Sequence, residues 1–195
     1  MSFDRDRLFR EIASLSRKSR LALCAFFSER LISFYEEYAS QSGGQMSVFR
    51  KSLDSIWTHL EDPDLETVNL AALHEEAKEN IPDEDDLDKD SVYAQDAAIA
   101  VTSALAVWAT DSPKRALECL EQCYNVVDSI VLNLIVPDGI IDEAAEASVL
   151  EDPRIQEEFA LQRSILDSCL ELDELHWSSF LRALRTQAVE SKIRA

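Results

Sequence analysis

Ala116, Leu117, Leu120, Cys123, Tyr124, Val127, Ile130, Val131 and Leu134 recur at intervals of three and four residues for about five helical turns. A strand, with its period of two, scatters such a set over both faces, whereas a helix gathers it on one. A stripe of that length is stable only under other helices. The rest of the chain is able to supply them. It has three Gly and five Pro in 195 residues, abundant Ala, Leu, Glu and Asp, and no alternating clusters of β-branched residues. The sequence therefore predicts an all-α protein, a single-domain bundle of about seven to eight helices over residues 1–195. At this length a globule hides roughly 70% of the surface of its unfolded chain, which allows a sizeable core.

The first helix is expected to start near Ser2 or Asp4 and to turn Leu8, Ile12 and Leu15 inward. Over 17–39, residues Leu23, Phe26, Phe27, Leu31, Phe34, Tyr35 and Tyr38 make a face too wide for a single neighbour. Gly43-Gly44 ends that helix, because glycine accepts the left-handed conformation of helix termini. Helices over 46–60 and 65–80 follow, separated by Pro63 and closed by Ile81-Pro82. Small residues on nearly every side of 91–110 make that helix the candidate centre of the bundle. Ser112-Pro113 and Asp152-Pro153 each read as a cap followed by proline at the first helical position. Between them Pro137-Asp138-Gly139 is a turn and 140–150 a short helix with an acidic outer face. The last segment breaks near 170–173, and residues 186–195 are expected to fray.

Charge is unevenly placed. The formal net charge is −19: residues 1–51 carry nine Lys/Arg against six Asp/Glu, residues 52–181 six against thirty-one, and residues 182–195 four against one. The acidic middle repels phosphate backbones and anionic membranes, which argues against direct nucleic-acid or membrane binding and for a basic protein partner. Cys24, Cys119, Cys123 and Cys169 lie in apolar helical surroundings without a C-x-x-C pair, as core thiols of a reducing compartment do. The N-terminus has no apolar signal core, and the charge-free run 97–110 is too short to span a bilayer. A cytoplasmic location is expected.

Several runs together resemble the YjaG-like family of bacterial proteins, domain-of-unknown-function family 416. They are Ser28-Glu29-Arg30 with Tyr35; Phe49-Arg50-Lys51 with Leu53-Asp54 and Ile56-Trp57; Ile81-Pro82 with Asp85-Asp86-Leu87-Asp88; Val92-Tyr93 with Asp96-Ala97; and Pro153 with Glu158 and Gln162. The resemblance covers about residues 20–185 and implies an all-α fold without assigning an activity.

Motifs with a chemical mechanism do not survive inspection. Asp86-x-Asp88-x-Asp90 lacks the glycine and the bidentate glutamate of a calcium loop, having Ser91 and Ala97 there. Asp173-x-x-His176 has the spacing of a di-iron half-site, but Ile56 and Ala71 stand where a second carboxylate would precede His59 or His74. No metal or cofactor is expected. Glu29, Arg30, Arg50, Asp54, Tyr93 and Asp96 remain as polar groups beside apolar faces. Glu29 with Arg30, and Arg50 with Asp54, are spaced to pair, so the set reads as a packing network or as the lining of a pocket. In the acidic loop, Asp88 and Asp90 are placed to favour the following helix N-terminus, which leaves Asp83, Glu84, Asp85 and Asp86 for a partner.

The leading expectation is a non-enzymatic protein that binds a basic partner, immunity-like or antitoxin-like in its specific form. A small-ligand protein or enzyme with a pocket around Glu29, Arg30, Asp54, Tyr93 and Asp96 is the alternative. A homodimer joined through the helix over 17–39 or the final helix is the third.

Overall fold

The computed structural model of the protein describes residues 4–42, 46–65, 69–83, 91–136 and 142–194. Among the described residues there are nine α-helices and no strand: α1 Arg5–Ser14, α2 Arg17–Ser42, α3 Met46–Glu61, α4 Leu70–Glu79, α5 Val92–Thr110, α6 Pro113–Ile135, α7 Glu143–Glu151, α8 Pro153–Leu170 and α9 Trp177–Glu190. The count exceeds the expected seven to eight because the last segment divides fully. Asp173 accepts from the Leu175 backbone N–H at 3.1 Å and starts the single 3-10 turn Glu174–His176 between α8 and α9. Gly43-Gly44, the 137–139 turn and the Asp88/Asp90 caps lie outside the described residues.

Local chemistry explains most helix ends. Asp4, Asn69, Ser112, Asp142 and Asp152 each accept from a backbone N–H in the first turn of the helix they precede. The Asn69 cap starts α4 at Leu70, with Leu65 outside the helix, later than the expected start at 65. Asp111 closes α5 in the left-handed conformation, with φ of 56°.

The centre of the bundle is shared, not held by α5 alone. Residues 19–32 of α2 are buried on every side, and α2 packs against α3, α5, α6, α8 and α9. Of its aromatic face, Phe26, Phe27 and Tyr35 are buried within the chain and Phe34 and Tyr38 are partly buried. Alanines on α5 let α2 and α6 approach closely on either side. The whole of Val92–Thr110, unlike its charge-free part, is long and apolar enough to cross a membrane, but most of it is buried inside the bundle as a core helix is.

Two cationic or amphipathic side chains join helix ends that are distant in sequence. Arg20, buried on α2, donates to the carbonyls of Ile12, Ala13 and Leu15 at the end of α1 and of Asp111 after α5, at 2.8–3.1 Å, and pairs with the Asp111 carboxylate. These carbonyls belong to the terminal ones that a helix cannot pair within itself, although that of Ile12 also accepts the Leu15 N–H at 3.2 Å. Trp177 donates through Nε1 to the Leu60 carbonyl in the last turn of α3 at 3.0 Å, and Lys18 sits 4.0 Å from its ring centroid.

The C-terminal segment departs most from expectation. Helix α9 continues to Glu190, Ala188 is fully buried, and Ile193 is 9% exposed. The Ile193 N–H donates to the Arg30 carbonyl at 3.3 Å and the Arg30 Nε donates to the Ser191 carbonyl at 2.9 Å. The basic composition of 186–195 hides one apolar anchor and two backbone tethers.

Replacing Arg20 by Met keeps the aliphatic volume but orphans the α1 and α5 carbonyls. The expected loss is about 3 to 5 kcal/mol of unfolding free energy, measured by urea denaturation, with Arg20→Lys falling between the two because an ammonium cannot reproduce the fork.

Candidate functional site

Buried charge on α2 organises the polar interior. Glu29 and Arg30 are neighbours in sequence and therefore point to different sides of the helix, so they do not pair with each other as their adjacency suggests. Arg30 meets Glu158 of α8 in a two-pronged ion pair, 3.0 and 2.7 Å, with the two side chains 5% and 2% exposed. Gln162, one turn on, donates to the same carboxylate at 2.9 Å and to the Leu120 carbonyl of α6 at 3.2 Å, while its own carbonyl oxygen is buried without a partner. The site thus ties α2, α6, α8 and the C-terminal segment.

Glu29 faces the other way. Its carboxylate accepts from Arg50 of α3 at 2.8 Å and from the Trp57 indole at 3.2 Å, and Arg50 also reaches Glu36 at 2.8 Å. Arg50 therefore bonds two carboxylates of α2, and the expected pairing with Asp54 does not form. Asp54 instead meets Arg185 of α9 at 2.9 Å, and that guanidinium lies 5.6 Å from the Trp57 ring centroid. Tyr93, on α5, packs its ring 5.3 Å from Phe34 and accepts at its hydroxyl from Asn133 at 3.3 Å. The six residues are distributed over distinct networks: Glu29 with Arg50, Arg30 with Glu158, Asp54 with Arg185, and Tyr93 with Asn133. Of the loop residues, exposed Asp83 is described, while Glu84, Asp85 and Asp86 lie outside the described residues.

Asp96 is the outlier. It is half-buried on α5 and makes no hydrogen bond or ion pair among the described residues, and burial alone pushes its carboxyl up to about 6. The four cysteines are free and buried. Burial holds the Cys119 and Cys123 thiols well above the ordinary range and pushes Cys169 up to about 12, so these three are not nucleophiles at neutral pH. Among the described residues no group of three His, Cys, Asp or Glu side chains is placed to hold a metal ion.

The sequence singles out Glu29, Arg30 and Arg50 as site candidates, but not Glu158 or Gln162, the partners on the Arg30 side. Glu158 and Gln162 stand four apart on one face of α8, a signal that was present, since a carboxylate in an apolar helix face requires a cation elsewhere. Arg185 and Glu36 carry no such local mark. The Arg30–Glu158 pair borders a cavity of about 310 Å³ that residues 191–194 of the C-terminal segment also line.

Replacing Glu158 by Leu leaves the Arg30 charge buried and uncompensated, at an expected cost of about 3 to 5 kcal/mol. The double substitution Arg30→Met with Glu158→Leu recovers most of that loss, and denaturation of the four proteins in a mutant cycle measures the coupling. Asp96 gives a pH signature. Its carboxyl titrates near 6 in the folded protein against 3.8 in an ordinary setting, so the folded state holds the extra proton between these values and stability falls as pH rises through that window. Asp96→Asn is expected to be more stable than wild type by about 3 kcal/mol near pH 7.5, with the gain vanishing below about pH 4, in thermal melts across pH.

The profile of a family described as "Protein of unknown function (DUF416)" matches residues 7–194. It takes in α1 and the C-terminal segment, which lie outside the resemblance read over 20–185. The crystal structure of a DUF416 family protein from Shewanella baltica OS155 is similar, with a TM-score of 0.77 at 21% sequence identity, over 94% of this chain and 93% of that one. At that identity the likeness is one of fold. A comparison with curated proteins finds no match.

Proposed function

The chain belongs to the DUF416 family, whose function is unknown, and we propose that it works without catalysis, by binding a basic protein partner through its acidic surface. The supporting observation is how charge is used. Arg20, Arg30 and Arg50 are each held in an ion pair within the chain, and residues 52–181 carry six Lys/Arg against thirty-one Asp/Glu, an excess that those pairs do not offset. Exposed Glu61, Asp62 and Asp64 after α3, and Glu143, Glu146 and Glu151 on α7, make no ion pair among the described residues. A body so charged attracts a basic surface from a distance and speeds encounter more than it tightens the complex.

In its narrower form the reading is an immunity-like or antitoxin-like protein that covers the basic active surface of a nuclease. The loop carboxylates Asp83, Glu84, Asp85 and Asp86 are the proposed contact, in the cytoplasm. The test is affinity capture from native lysate by wild type and by the variant D83N/E84Q/D85N/D86N, at about 50 mM and about 300 mM salt. A basic protein retained by wild type at low salt, released at high salt and lost from the variant is the expected result. Equal retention by the variant, or no retained protein at low salt, overturns the reading.

A further inference from the structure

The cavity beside Arg30 has a lining whose charge is opposite in sign to that of the chain as a whole. It measures about 310 Å³, at the small end of ligand sites, and lies between α2, α6, α8 and residues 191–194. Its lining holds four cationic residues, Arg30, Arg154, Lys192 and Arg194, against two carboxylates, Glu157 and Glu158, in a chain whose net charge is −19. Glu158 is committed to Arg30, and Arg154 to Asp152 at 2.7 Å. Lys192 and Arg194 form no ion pair among the described residues, although acidic side chains outnumber basic ones two to one along the chain. The remaining wall is apolar, made by Val127, Ile130, Leu161 and Ile193.

We propose that this cavity binds a small amphiphilic anion, with a carboxylate or phosphate head held by Lys192 and Arg194 and a short apolar body against Val127, Ile130 and Leu161. Three features converge on that class. Lys192 and Arg194 form no ion pair among the described residues and outnumber Glu157, the lining carboxylate that likewise forms none, so an anionic head meets a net positive charge. The Arg30–Glu158 pair is bonded at both ends and 5% and 2% exposed, so it forms a rigid inner wall. Ile193 is seated and tied by its N–H to the Arg30 carbonyl, which anchors the segment carrying the two cations at the cavity wall. The apolar wall discriminates against inorganic anions, since their hydration would be lost with nothing gained in return.

Isothermal titration of the full chain with hexanoate and with hexyl phosphate tests the proposal, alongside hexanol and inorganic phosphate as probes of tail and head alone. One of the two amphiphiles is expected to bind at one site per chain, and the stronger of them identifies the head group. Hexanol and inorganic phosphate are expected to bind at least about tenfold more weakly. The variant K192A/R194A, altered only at solvent-accessible side chains, is expected to lose about tenfold or more in affinity with unchanged circular dichroism. Leu161→Glu, which sets a like charge in the wall, is expected to lose binding as well. A charge-matched variant away from the cavity, K51A/K114A, keeps wild-type affinity. Binding of inorganic phosphate as tight as that of the amphiphiles, equal weakening by K51A/K114A, or no binding of either amphiphile overturns the proposal.

Discussion

A charged side chain on a helix that solvent does not reach must be met by a partner from another helix, and α2 carries three such side chains, Arg20, Glu29 and Arg30. Each is answered by a different part of the chain: Arg20 by the ends of α1 and α5, Glu29 by α3, Arg30 by α8 and the segment after α9. Hydrophobic burial drives the collapse, but it is non-directional and would accept α2 in many rotations. The three charges accept very few. They specify the rotation of α2 about its axis and the neighbour on each side, a role that buried polar groups can play at a cost in stability.

The helix caps and the charge clamps divide the work of satisfying backbone. First-turn N–H groups are met locally by Asp4, Asn69, Ser112, Asp142 and Asp152, at sites where a short side chain reaches its own helix. The carbonyls of Asp111, Ser191 and Leu60 are met from far along the chain by Arg20, Arg30 and Trp177, because long donors are needed to cross between helices. Cutting and joining the bundle therefore obey different rules. Helix starts are written in neighbouring residues, and several helix ends are written in residues a hundred positions distant.

Much of the fold was legible before the structure. The stripe on α6 as far as Val131, though not exposed Leu134, the caps before Pro113 and Pro153, the Ala-rich α5 and the break after Leu170 are local patterns, and local patterns suffice where a helix buries one face. The errors have a common origin. Arg50 with Asp54, and Glu29 with Arg30, are near one another in sequence, and the expectation of pairing followed that nearness. The structure instead brings Arg50 to Glu29 and Glu36, Asp54 to Arg185, and Arg30 to Glu158. The tail over 186–195 looked polar enough to fray, and Ile193 with its backbone tether to Arg30 is invisible to composition.

By itself the sequence determined the class of the protein: helical, in one domain-sized length, acidic over its middle two-thirds, its cysteines in apolar helical runs and without a motif for metal or nucleophilic chemistry. Those properties are set by periodicity, capping and net charge, which are sums over neighbouring residues. Only the tertiary structure decided which charges meet, that α2 and not α5 alone lies at the centre, and that the C-terminal segment lines a cavity beside the Arg30–Glu158 pair. Such pairings depend on the packing of helices 20 to 160 positions apart along the chain. No local pattern encodes that distance, since an arginine inside an apolar helix demands a carboxylate but does not say where along the chain it will come from.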